Sequence, residues 1–225
     1  MQVSKNMMDR IRLGLFLLLV CSIISCNRKE EKSSRKMALE LNKKAVELVP
    51  FNKNDSLKKA IAYLDSATEI DSSCALCYAN KLTFLLSLKQ FDRARSTVHK
   101  ILELRPGEYY YYTTAGMLYE LSGDTNTAKT YFQQSLKLSN KVLDTVKIKS
   151  SDYYGISLLQ TNIYLMLGDS VKSKQQLQEL LKDMPAGGEF EFWKEIIQSH
   201  LNKTKRILLD EMVHGQNDSV TGGEN

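Results

Sequence analysis

Apolar residues recur along this chain at helical spacing. Tyr78, Leu82 and Leu85 stand at i, i+4 and i+7, and so do Ala94, Val98 and Ile101. Lys89-Gln90-Phe91-Asp92 breaks the two groups apart. The pattern then repeats 34 residues on: Tyr78, Leu82, Leu85, Ala94, Val98 and Pro106 return as Tyr112, Gly116, Tyr119, Ala128, Phe132 and Asn140. The second break is Ser122-Gly123-Asp124. Gly123 suits a helix end, where the backbone needs a positive φ. Asp92 and Asp124 are placed to accept hydrogen bonds from the free N–H groups that open the next helix. Each segment is therefore two short antiparallel helices. One pair cannot bury its apolar face alone, so neighbouring pairs must stack.

The same spacing extends both ways. Arg35 to Val49 reads as the first helix of an earlier, less regular pair. Asp55 to Ile70 reads as its second helix, because Ala60, Leu64 and Ala67 lie 34 before Ala94, Val98 and Ile101. A fourth pair needs an offset of 45, which carries Tyr119, Gly123, Asp124 and Phe132 to Tyr164, Gly168, Asp169 and Leu177. The 11 extra residues fall near Lys141 to Ser151 and read as an extended helix plus a short loop. Gly187-Gly188 stops the pattern. Phe190 to Met212 is predicted as one capping helix, with Trp193, Ile196, Ile197 and Leu201 on one face. The expected organisation is an all-α chain with pairs near 35–72, 75–106, 109–140 and 154–185, a cap over 186–212 and a disordered tail over 213–225.

Tyr112, Ala115, Gly116, Tyr119, Ala128 and Phe132 resemble the tetratricopeptide repeat family, as does the run Leu-Lys-Gln-Phe-Asp-Arg-Ala at 88–94. In that pattern small residues sit where two helices cross closely and aromatics fill the gaps. Leu82 replaces the small residue, which predicts a wider crossing in that pair. The resemblance implies a right-handed α-solenoid over 35–185. Its concave groove would be lined by the first helix of each pair and would hold a protein or peptide partner. Carried across, the groove face is Leu76, Asn80, Thr83 and Leu86; Tyr110, Thr113, Met117 and Glu120; Leu158, Asn162, Leu165 and Met166. The family's core position falls on Tyr112, and Tyr110 is expected to point into the groove.

The first 25 residues stand apart. Lys5, Arg10 and Arg12 precede a 12-residue apolar run, Leu13 to Ile24. That is short of the roughly 20 residues a membrane span needs and fits a signal peptide. Ile23-Ile24-Ser25-Cys26 resembles the lipobox of bacterial lipoproteins, which implies lipidation of Cys26, a 26–34 tether and a place on the cell envelope. Lys29-Glu30-Glu31 resembles the export signal of surface lipoproteins in Bacteroidota. Losing Lys5, Asp9, Arg10 and Arg12 takes the 31 basic and 26 acidic residues to 28 and 25. That balance is near neutral and has no basic stripe, so nucleic acid is not expected as a partner.

Candidate chemistry is sparse. Cys74 and Cys77 have the spacing of a thiol-redox motif but lack the strand that precedes one, so packed thiols and a local disulfide stand beside the redox reading. Of the Asp-Ser/Thr-apolar triplets, which resemble the O-glycosylation acceptor of Bacteroidota, Thr145 and Ser219 fall in expected loops. Glycan binding is a further option for a Tyr-rich groove. No phosphate-binding Gly loop, His-Glu-x-x-His or nucleophile turn occurs, so neither an enzyme nor a cofactor is expected.

Overall fold

The computed structural model describes residues 31–49 and 54–214. Among them are ten helices and no strand: α1 (31–47), α2 (Asn54–Ile70), α3 (Ala75–Ser87), α4 (Phe91–Leu104), α5 (Tyr109–Leu121), α6 (Thr125–Leu143), α7 (Ser151–Met166), α8 (Ser170–Lys182), α9 (Glu189–His200) and α10 (Lys205–His214). The chain divides into two compact units, and the division falls between α3 and α4, at Leu88 and Lys89. The signal segment, Cys26 and Ser219 lie outside the described residues.

In the first unit α2 buries Leu57, Ala60, Ile61, Leu64 and Ala67, and α3 buries Cys77, Leu82, Phe84 and Leu85. Helix α1 contributes Ala38 and Ala45, both fully buried. It is already helical at 31, the first described residue and four before the predicted start, so 31–34 of the expected tether are helical. Residues 31–33 and 35–37 are exposed.

The second unit shows why one repeat is locally determined. Gly123 takes φ +83° after α5, and the Asp124 side chain accepts from the Thr127 N–H at 3.1 Å to open α6. Gly168 takes φ +86° after α7, and Asp169 accepts from the Lys172 N–H at 3.0 Å to open α8. The equivalent turn between α3 and α4 has neither device. Lys89 adopts φ +56°, and Gln90 stands at the N-cap without a side-chain cap bond. Asp92, expected as the cap, lies one residue inside α4 and pairs with Arg95 instead. Gln90 occupies the capping position, and Asp92 stands within the first turn of the helix.

Two further expectations change. The core position on α5 belongs to Tyr111, 9% exposed, while Tyr112 is only half-buried. The predicted single cap is two helices. Ile197 is fully buried against Tyr154, Leu177 and Leu180, with Trp193 and Leu201 packed alongside, so α9 closes the end of the α7–α8 pair. The chain then turns at 201–204, where the Thr204 hydroxyl accepts from the Ile207 N–H at 3.3 Å and starts α10. The helical period survives this break, which is why it escapes a pattern reading.

Candidate functional site: the first-helix face of the second unit

The residues assigned to a partner groove divide between the two units. In the first unit Leu76 is exposed and so is Thr83, whose hydroxyl donates back to the Ala79 carbonyl at 3.2 Å. Asn80 is not free: its Nδ2 donates to Asn42 Oδ1 at 2.8 Å and ties α3 to α1. In the second unit Tyr110 is 40% exposed and its hydroxyl donates to Glu108. Partial burial and then that hydrogen bond raise the Tyr110 pKa above the ordinary tyrosine value. Thr113 is engaged with Ser135, oxygen to oxygen at 2.8 Å, and Ser135 donates onward to the Tyr109 carbonyl at 2.7 Å.

The other half of this face is covered. Leu208 of α10, 6% exposed, joins a core cluster with Ala128, Phe132, Ile163, Leu165 and Met166, and Met117 and Leu209 pack against the cluster. Lys205 reaches Glu120 at 2.6 Å, and the Glu120 side chain is only 9% exposed. Leu165 is therefore core rather than groove, and Met117 is partly buried. Leu158 likewise packs on the cluster of Tyr154 and Ile197 beneath α9. Asn162 holds a buried side-chain oxygen with no hydrogen-bond partner. The sequence period identifies which residues share a helix face, but it cannot report that α10 returns to cover part of it.

Cys74 and Cys77 form a disulfide. Cys74 is 5% exposed and Cys77 fully buried, and Cys74 Sγ also accepts the Cys77 N–H at 3.3 Å, capping α3. Buried sulfurs offer no face to an attacking thiolate, so this bridge is a staple at a helix start. Thr145 lies exposed in the loop after α6. Among the described residues no His, Cys, Asp and Glu cluster could hold a metal ion, and no helix is long and apolar enough to cross a membrane.

Gly116 carries the decisive local geometry. A Cβ there would lie 2.6 Å from the Phe132 ring, so only glycine permits this crossing of α5 and α6. The tetratricopeptide repeat model matches residues 109–142, the segment built around that crossing. The chain carries a tetratricopeptide repeat. Its repeat has the small–aromatic crossing, the Gly123 turn and the Asp124 cap in one unit. Among solved structures the chain is similar to YrrB, described as "a TPR protein with an unusual peptide-binding site", at 16% identity and a TM-score of 0.48, covering 85% of this chain and 92% of that one. It is also similar to a tetratricopeptide repeat protein from Parabacteroides merdae ATCC 43184, at 12% identity and a TM-score of 0.37, covering 82% and 96%. The comparison with curated proteins returns no match.

Proposed function

We propose that this chain is a protein-interaction scaffold, tethered to the cell envelope through a lipid on Cys26, that holds a partner segment on the first-helix face of its repeats. The observation that carries the reading is Tyr110. It stands on the first helix of the matched repeat, 40% exposed, beside a Thr113 already held by Ser135. A rigid ring with a polar tip and little side-chain entropy to lose suits a contact surface. Leu208 of α10 packs in the cluster that holds Leu165 and Met117, which favours the Tyr110 end of the face for the partner segment. Thiol-redox chemistry is the less favoured alternative, since both sulfurs are buried in the bridge.

A photo-crosslinking amino acid at position 110 tests the face, with one at the exposed position 130 on α6 as control. A discrete adduct at 110 and none at 130 is the expected result. Equal labelling at both positions, or none at 110, would end this placement. Anchoring is tested separately. Cys26→Ser should move the protein from the membrane to the soluble fraction, and a variant that stays with the membrane would place the anchor elsewhere.

A further inference from the structure

The second unit contains two equivalent clefts, and only one is filled. An advance of 45 residues carries Tyr119 to Tyr164, Tyr112 to Ser157 and Tyr131 to Gln176. In the first cleft, where α4, α5 and α6 meet, the Tyr131 ring stacks on Tyr119 with centroids 5.4 Å apart and planes 18° apart. Tyr112 lies 6.2 Å from Tyr131. His99 closes the group, its Nε2 at 2.8 Å from the Tyr119 hydroxyl and its Nδ1 at 3.4 Å from that of Tyr131. The space is taken up by the protein's own phenol rings.

The second cleft keeps Tyr164 and loses the counterparts of Tyr112 and Tyr131, while Tyr153 and Tyr154 form part of its wall. Ser157 and Gln176 stand where Tyr112 and Tyr131 stood, and a cavity of about 520 Å³ opens beside them. The loop after α6 forms one wall of it with Ile148, which is 69% exposed. Ser157 lines the cavity and its hydroxyl has no hydrogen-bond partner. Lys172 sits over the Tyr164 ring at 4.3 Å, and Glu179 supplies a carboxylate at the cavity wall.

We propose that this cavity receives a tyrosyl side chain from a partner segment. The filled cleft shows what the geometry accepts: a phenol ring, that of Tyr131, stacked on the tyrosine common to both sites, with both hydroxyls held by His99. Aromatic rings prefer such offset stacking and edge contacts, and a buried phenol needs a partner for its O–H. Glu179 and Gln176 provide acceptors, and Ile148 provides an apolar lip for the ring. The cavity size falls within the range of small-ligand sites. That the phenol arrives on a peptide rests on the scaffold reading; the phenol chemistry itself does not.

The test uses the full chain and N-acetyltyrosinamide as the probe, followed by amide chemical shifts in two-dimensional NMR. Saturable shifts confined to 143–164 and 172–183 are expected, with N-acetylleucinamide binding at least tenfold more weakly. Ser157→Tyr with Gln176→Tyr rebuilds the plug of the first cleft and should weaken the response at least tenfold while the helical circular dichroism is kept. If that pair disturbs the fold, Gln176→Tyr alone, at a half-buried position, decides in its place by the same criterion. No saturable shift at these positions, equal binding of the leucine probe, or a full response in the plugged variant would overturn the proposal. Binding of the tyrosine probe together with no adduct at position 110 would keep this cavity and discard the Tyr110 placement.

Discussion

The third and fourth helix pairs, α5–α6 and α7–α8, share one plan and differ at their crossing. Both use a positive-φ glycine, Gly123 or Gly168, and an aspartate cap, Asp124 or Asp169. At the crossing the third pair has Gly116 against Phe132, whereas the fourth has Thr161 and Leu177, both buried. A bulky ring demands a missing Cβ opposite it, and a smaller aliphatic side chain leaves room for threonine. Turn chemistry is therefore the invariant part of these pairs and side-chain volume the negotiable part.

The largest break in that comparison should come from Gly116→Leu. The added side chain meets a fully packed Phe132 ring, so overpacking should cost about 3 kcal/mol, read as a lower urea midpoint. The opposite error belongs to the fourth pair. Thr161→Gly opens a cavity and adds backbone freedom, and should cost about 2 kcal/mol in the same assay. If the two changes were interchangeable in cost, the crossings would not differ as described.

The turn after α3 sharpens the comparison from the other side, because it lacks both shared devices. Lys89→Gly removes the left-handed strain of a residue with a Cβ and should gain about 1 kcal/mol. Gln90→Asp supplies the missing cap and should gain a similar amount, about 1 kcal/mol. Differential scanning calorimetry on the single and double variants checks both. A neutral Lys89→Gly would mean that the φ of +56° costs nothing there.

The smallest effect is on pH. The Thr127 backbone N–H, and then its side chain, hold the Asp124 carboxyl below its ordinary pKa. A carboxyl depressed on folding contributes stability that is present above its unfolded value, about pH 4, and is lost as pH falls through the folded value. Asp124→Asn should flatten that part of the stability–pH curve in urea titrations between neutral pH and acid. An unchanged acid limb would remove the cap from the account.

How far a residue could be read depended on how local its partner is. Helix spacing, the glycine turns and the Gly116 crossing each involve neighbours within one repeat, so a period of 34 is enough to place them. The period of 34 carries Asp124 to Gln90, the observed cap, which lies two residues before Asp92, so the choice is between two nearby residues of the same turn. Tyr111 and Tyr112 pose the same problem, since adjacent side chains differ by about 100° around a helix of 3.6 residues per turn.

Amphipathic spacing and turn residues by themselves determined the all-α class, the helix pairs and their order, because each is a consequence of backbone geometry within some thirty residues. Only the tertiary structure decided which faces stay open. The Asn80–Asn42 bond, Leu208 over Leu165 and Met117, and the cavity beside Ser157 all join residues far apart in the chain. A helix face is written in its own residues. What covers it is written elsewhere in the chain, and burial is settled only when the two meet.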